Sequence, residues 1–300
     1  MLPVTSTPSP SPSLAPLAGV RVLSLALNLP GPAALLRCRA MGAHCLKLEP
    51  PSGDPMRLYQ PRAYADLHQG IEVREADLKT APAQAALREE LARTDVLLTS
   101  FRPSALRKLG LNWEVLHERH PRLAQVAIVG AAGARAEEPG HDLTYLADAG
   151  LVAGTTLPPT LFADMAGALM AAEAVLQAVL HLRTHGAGTC VEVALHGAAE
   201  WLALPRTWGL TTPDGAVGGA HAGYRVYPCA DGRVAVAALE PHFARRLAEA
   251  AGLDTADLGA PAAHRGVAAW IAGRTRAELD ALAAERDIPL HTLPPEPAPQ

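Results

Sequence analysis

Lysine is scarce in this 300-residue chain: Lys47, Lys79 and Lys108 stand alone among 26 basic residues, the rest being arginine. The bias reads as compositional, so an arginine here points less strongly than usual to a special role. An excess of positive charge is missing as well. With 30 acidic side chains and a formal net charge of −4, the chain has no global attraction for nucleic acid or an anionic membrane surface, and neither is expected as a partner. Cysteine is limited to Cys38, Cys45, Cys190 and Cys229. Without CxxC spacing, and in apolar surroundings, they argue against a zinc site or a disulfide framework and read as reduced structural thiols. No metal is expected. No stretch reaches the roughly 20 uninterrupted apolar residues that a membrane span needs. The longest apolar-rich segment, Leu161–Leu182, is broken by Asp164, Glu173, Gln177 and His181, as in a helix packed inside a protein. Met1 to Pro16, rich in Ser, Thr and Pro, has no basic n-region or apolar h-region and reads as a disordered lead-in, which leaves a cytoplasmic location by default. Several nucleotide and hydrolase motifs are absent too. No GxGxxG, GxxxxGK[ST], GxSxG or HExxH occurs, which argues against a dinucleotide fingerprint, a P-loop, a nucleophile elbow and a zincin helix.

What is present is a chain 49% hydrophobic and 19% charged, enough for one large domain or two modest ones. Short apolar runs at Val20–Leu27, Ala43–Leu48, Asp95–Thr99 and Leu123–Val129 read as strands. Helical stretches follow over Ala33–Met41, Ala81–Arg93, Pro103–Leu109 and Asn112–Arg119, while 49–73 reads as loop and irregular structure. Alternating strands and helices with continuous apolar strands predict a parallel sheet covered on both faces. Further along, Asp164–Arg183 reads as a long helix, Cys190–Leu195 as a strand and Ala198–Trp208 as a helix. Tyr224–Pro228 and Arg233–Leu239 read as a hairpin about a Gly-containing turn, followed by helices over Pro241–Ala251 and Ala277–Glu285. The expected fold class is therefore α/β. A Rossmann-like parallel sheet with helices on both faces (17–208) precedes a smaller α+β domain (209–290) and a Pro-rich tail (291–300).

Three loops hold lone acids and histidines: Gly140-His141-Asp142-Leu143, Ala163-Asp164-Met165-Ala166-Gly167 and Leu239-Glu240-Pro241. Taken singly, Asp142 and Asp164 read equally as helix N-caps, contributing about 1 kcal/mol each. Glu240 reads as a residue preceding a helix that opens with Pro at its first position.

Taken in order, these segments and others resemble the class III CoA-transferase superfamily, and within it the α-methylacyl-CoA racemase branch. The phrases that carry the resemblance include Pro16-Leu17-Ala18-Gly19-Val20, Met41-Gly42-Ala43, Lys47-Leu48-Glu49-Pro50-Pro51, Gly53-Asp54-Pro55, Phe101-Arg102-Pro103, Pro139-Gly140-His141-Asp142, Ala163-Asp164-Met165 and Leu239-Glu240-Pro241. The resemblance implies an acyl-CoA thioester substrate, with coenzyme A arriving as part of that substrate and no permanently bound cofactor. In the transferases, the aspartate matching Asp164 attacks the thioester carbonyl and carries the acyl group as a mixed anhydride. In the racemases, residues matching His141 and Asp164 flank the α-carbon and exchange its proton, and the glutamate matching Glu240 lies near them. Lys47 and Arg102 fall where the family contacts CoA phosphates; the residues alone leave Lys47 equally as a solvated strand end. The family is also a homodimer of interlocked chains.

A carboxylate at the start of a long helix is expected to stay ionised, favoured by about 0.3–1 kcal/mol from the helix dipole. Free N–H groups near Asp164 are candidate oxyanion donors. Three departures qualify the resemblance. The family's Asn-Arg-Gly-Lys-Arg-Ser segment is here His68-Gln69-Gly70-Ile71-Glu72-Val73, and its aromatic- and Gln-containing glycine loop is here Gly130-Ala131-Ala132-Gly133-Ala134-Arg135. A returning C-terminal segment is not found in this sequence. Proton transfer in the racemase manner is thus the first expectation and CoA transfer through Asp164 the second. A third is a divergent binding protein with little or no catalysis.

Overall fold

A computed structural model describes residues 14–254 and 257–295. The chain divides into two units, the first ending at Ala203 and the second starting at Leu204.

The first unit is built on six strands: β1 (Arg21–Ser24), β2 (His44–Glu49), β3 (Glu72–Glu75), β4 (Val96–Thr99), β5 (Ala124–Val129) and β6 (Cys190–Ala194). All pair in parallel, in the order β3-β2-β1-β4-β5-β6. This is a doubly wound sheet whose strand order reverses between β1 and β4. The inner strands are apolar because both faces are covered; Val96, Leu97 and Leu98 are buried on both sides of β4. The helices connecting these strands are α1 (Pro30–Ala40), α2 (Met56–Tyr59), α3 (Pro61–Leu67), α4 (Ala81–Leu91), α5 (Pro103–Leu109), α6 (Trp113–Arg119), α7 (Asp142–Asp148) and α8 (Phe162–His185). α9 (Leu195–Thr207) then crosses the division.

Helix α8 lays an alanine-rich face (Ala168, Ala171, Ala172, Ala178) into the same core as α1 and β5. Small side chains let the backbones approach closely. Its 24 residues make it long and apolar enough for a membrane span by composition, but half of that window is buried inside the protein, as expected for a core helix. At the head of α1, Gly31 cannot be replaced by a larger residue without conflict, because a Cβ there would lie 2.2 Å from the Cβ of Ala26. This glycine serves helix-to-turn packing.

The second unit holds a three-stranded antiparallel sheet, β7 (Tyr224–Cys229), β8 (Gly232–Ala237) and β9 (Leu290–Leu293), with α10 (Pro241–Ala250), α11 (Pro261–Ala272) and α12 (Arg276–Arg286). Its core gathers Val234, Val236, Leu247, Val267, Ile271 and Leu279. The Asp231 carboxylate in the hairpin turn accepts the backbone N–H of Arg276 at 2.7 Å and so ties α12 to the turn.

Four expectations are corrected. The stretch 49–73 contains α2, α3 and the start of β3. β3 itself is an edge strand reading Glu-Val-Arg-Glu, with no apolar run to mark it. α11 had no counterpart among the expected helices. The beginning of the Pro-rich tail is strand β9, paired with β8. Of the expected lead-in and tail, residues 1–13 and 296–300 lie outside the described residues. The four cysteines are free. Burial pushes the Cys38 and Cys45 thiols up to about 12, as for unreactive core groups, whereas Cys190 is exposed rather than in apolar surroundings.

Candidate active site

Where strand order reverses in a doubly wound sheet, the connections leave β1 and β4 in opposite directions and open a crevice beyond the strands' carboxyl ends. A cleft of about 190 Å³ occupies that place. Leu27 and Asn28 after β1, Phe101 and Arg102 after β4, and Gly130 after β5 line it, together with His141, Tyr145 and Asp164. A larger hollow of about 630 Å³ opens at the opposite end of the strands. It lacks the converging chemistry of the cleft, and its Arg74 is paired with Glu72 and Glu90.

His141 and Asp164, 23 residues apart in sequence, therefore share one cleft. His141 is exposed at the head of α7, where the Thr144 hydroxyl accepts its N–H (3.0 Å) and donates to its carbonyl (2.7 Å). Asp164 lies in the first turn of α8, half buried. Its backbone N–H donates to the Asp142 carboxylate at 2.9 Å, so the buried Asp142 secures the start of α8 as well as belonging to α7. Neither acid is the simple N-cap of its own helix. Of the N–H groups expected near Asp164 as oxyanion donors, that of Asp164 itself is engaged.

The charge state of Asp164 also differs from expectation. Its carboxyl is pushed from 3.8 up to about 6, first by burial and then by the neighbouring Asp142, with His141 pulling the other way. A helix dipole is worth about 0.3–1 kcal/mol, under one pH unit, so it loses to desolvation and a like charge. The result is a carboxyl that gains and loses a proton near neutral pH.

Lys47 is not at the cleft surface. Its side chain is 0% exposed, with Nζ 2.6 Å from Asp54, 2.9 Å from Glu49 and 2.9 Å from His68 Nε2. Because the ammonium can only donate, His68 Nε2 accepts and its Nδ1–H donates to the Tyr64 carbonyl at 2.6 Å; burial lowers the His68 pKa and so favours this neutral form. Glu49, Asp54 and His68 converge closely enough to suggest a metal site, but the Lys47 ammonium already bridges them. A buried ammonium with two carboxylates has no charge to offer a phosphate, so Lys47 is neither the expected phosphate contact nor a solvated strand end.

The cluster nonetheless reaches the cleft. Both Asp54 oxygens accept the backbone N–H of Asn28 at 3.1 Å, and Asn28 holds a left-handed backbone (φ 65) that non-glycine residues seldom adopt. Lys47 thus supports the cleft wall from behind.

Arg102 lines the cleft at the head of α5, exposed and, among the described residues, without an ion-pair partner. The α5 head itself is occupied, since Glu137 accepts Ser104 N–H at 2.6 Å and Ser104 Oγ–H at 2.8 Å. Glu240 belongs to the second unit, exposed at the head of α10 and not capping it through its side chain. Asp54 and Glu137 were not weighed as site groups in the sequence, and Asp142 was weighed there only against a helix N-cap. Asp142 carried a signal in its place next to His141, and Asp54 in the Gly53-Asp54-Pro55 phrase; Glu137 carried none.

Fold and cleft together define a doubly wound α/β protein with a histidine and an aspartate lining one cleft at the sheet's switch point, and solved structures share the fold. A protein from Mycobacterium tuberculosis superposes with a TM-score of 0.80 at 24% identity, over 92% of this chain and 82% of that one. A CaiB/BaiF family protein from Brucella suis gives 0.76 at 24% identity, over 95% and 84%. The chain belongs to CoA-transferase family III, whose model matches residues 17–294. A probable fatty acyl-CoA transferase of Mycobacterium tuberculosis is 32% identical over 62% of this chain and 52% of its own length. The cinnamoyl-CoA:phenyllactate CoA-transferase of Clostridium sporogenes is 33% identical over 61% and 50%. Human α-methylacyl-CoA racemase is 29% identical over 81% and 66%. The chain spans about half the length of the first two relatives.

Proposed function

We propose that this chain acts on acyl-CoA thioesters by 1,1-proton transfer at the α-carbon, in the manner of an α-methylacyl-CoA racemase, with His141 and Asp164 as the acid–base pair. The observation that carries this reading is the raised Asp164 carboxyl, at about 6, facing the same cleft as an exposed imidazole. General acid–base groups work best when their pKa lies near the working pH, and a carboxyl left at its ordinary value would be a weak base for a thioester α-proton. One group takes the α-proton, the C–H electron pair passes to the carbonyl oxygen, and the other group returns a proton to the opposite face of the carbon. At about 190 Å³ the cleft is smaller than the roughly 300–1,000 Å³ usual for drug-sized ligands. That suits the thioester end of the substrate, with the CoA moiety reaching outward past Arg102 and its free guanidinium. Glu240, on the second unit, is proposed as a site residue on the resemblance alone.

The transferases among the relatives favour a second reading on the same site. There Asp164 Oδ attacks the thioester carbonyl and the C–S bond breaks with CoA leaving as thiolate. The thiolate then attacks the aspartyl carbonyl of the mixed anhydride, releasing the donor acid as its carboxylate and leaving Asp164 as a CoA thioester, from which an acceptor carboxylate receives CoA by the same two steps in reverse. A homodimer is also proposed. α8 and α9 leave Leu169, Leu180 (66% exposed) and Trp201 (67% exposed) bare on the first unit, apolar side chains of the kind that a second copy would cover.

Incubation with a 2-methylacyl-CoA in deuterated water, read by mass spectrometry, tests the first reading. One α-deuteron per molecule should enter with the wild type and be lost in Asp164→Asn and His141→Ala. An acyl adduct trapped on Asp164, with no deuterium uptake, would favour transfer. Absence of uptake together with absence of CoA affinity would leave a non-catalytic binding role.

A further inference from the structure

The pair just described leaves one polar group of the cleft without a task. Tyr145, on α7, lines the cleft with His141, Asp164 and Arg102, and its side chain is packed so that only 8% of the residue is exposed. Two glycines make room for its phenol. A Cβ at Gly130 would stand 2.5 Å from Oη, and one at Gly140 would stand 2.6 Å from Oη and 2.5 Å from Cε1. Among the described residues no protein group bonds to this hydroxyl, and it is not closed off from solvent, so it is open to a group bound in the cleft. Burial, reinforced by the charge of Asp164, raises its pKa against a weaker opposing pull from Arg102, so the group remains a protonated donor at neutral pH. Of the donors anticipated at the head of α8, the Asp164 N–H is held by Asp142.

We propose that Tyr145 is a further catalytic residue, its Oη–H donating a hydrogen bond to the carbonyl oxygen of the bound thioester. The inference rests on the reading of the cleft as an acyl-CoA site. When the α-proton leaves for the base, its bonding pair moves through the carbonyl and places negative charge on that oxygen. The phenol keeps its proton throughout, and the new proton goes to carbon. If Asp164 instead adds to the carbonyl, charge develops on the same oxygen, so the role holds for both chemistries. A donor fixed by packing before charge develops is the arrangement that stabilises such an oxyanion.

The test is Tyr145→Phe in the full chain, assayed alongside the wild type for α-deuterium exchange and for acyl transfer. Loss of one oxyanion donor typically costs about 10²–10³-fold in kcat. That loss is expected here, with KM and the affinity for an unreactive CoA thioether changing less than about threefold. Gly130→Ala, whose new methyl would stand 2.5 Å from Oη and 3.3 Å from Cζ and so push the phenol aside, should lower kcat in the same direction. Wild-type kcat in Tyr145→Phe, or an effect confined to KM, overturns the assignment while leaving the acyl-CoA reading intact. A wild type that neither binds nor turns over acyl-CoA overturns both.

Discussion

Replacing Asp164 by Asn is expected to strengthen the fold while removing the chemistry. In the folded chain this carboxyl stands at about 6 rather than 3.8, because it is partly withdrawn from water and faces Asp142. A group whose folded pKa exceeds its unfolded one binds its proton more tightly when folded. Its favourable contribution is complete below the unfolded value and disappears as pH rises through the folded value. For Asp164 that window runs from about pH 3.8 to somewhat above 6. At about 1.4 kcal/mol per pH unit the full rise corresponds to about 3 kcal/mol, and solvent at the open side of the cleft reduces this to about 1–2 kcal/mol. Asn cannot ionise and so escapes the penalty. Urea unfolding of both proteins between pH 4 and 8 should show Asp164→Asn the more stable, by a margin smallest at the acid end and level above about pH 6.5. A variant less stable than wild type at pH 8, or a margin that does not depend on pH, would refute the reasoning.

Two other substitutions probe the groups behind the pair. Asp142→Asn keeps an acceptor for the Asp164 N–H but removes the like charge, so the acid limb of the pH–rate profile should move to lower pH; an unmoved limb would show that Asp142 does not tune Asp164. Lys47→Met leaves Glu49 and Asp54 buried without their cation, and breaking a buried pair this way costs about 3–5 kcal/mol, which urea unfolding would register; a loss under about 1 kcal/mol would mean that the cluster relaxes easily.

The architecture was legible wherever burial left a mark on composition. β4 and β5 are apolar on both faces because helices cover both, and the long Ala-rich α8 reads as a core helix for the same reason. β3 was not legible, since an edge strand whose side chains are Glu, Val, Arg and Glu resembles a solvated loop. Helices α2 and α3, of four and seven residues, are too short to show a periodicity. At the site, His141 and Asp164 emerged from the resemblance rather than from spacing. The fold adds what sequence adjacency cannot show, namely that Asp142 faces Asp164 across 22 positions. That contact and burial reverse the expected protonation of Asp164. Lys47 followed the same logic, because its partners Asp54 and His68 reach it only once the loop after β2 and helix α3 have folded over it.

The central claim is that His141 and Asp164 serve one α-carbon as two separate bases, and the most direct measurement begins from each epimer of a 2-methylacyl-CoA separately in deuterated water. At initial rates the inverted product should carry one α-deuteron while the unreacted epimer remains unlabelled, and Asp164→Asn should abolish the inversion. Label appearing equally in both epimers would show that a single base exchanges the proton, and an inversion rate unchanged in Asp164→Asn would contradict the account outright.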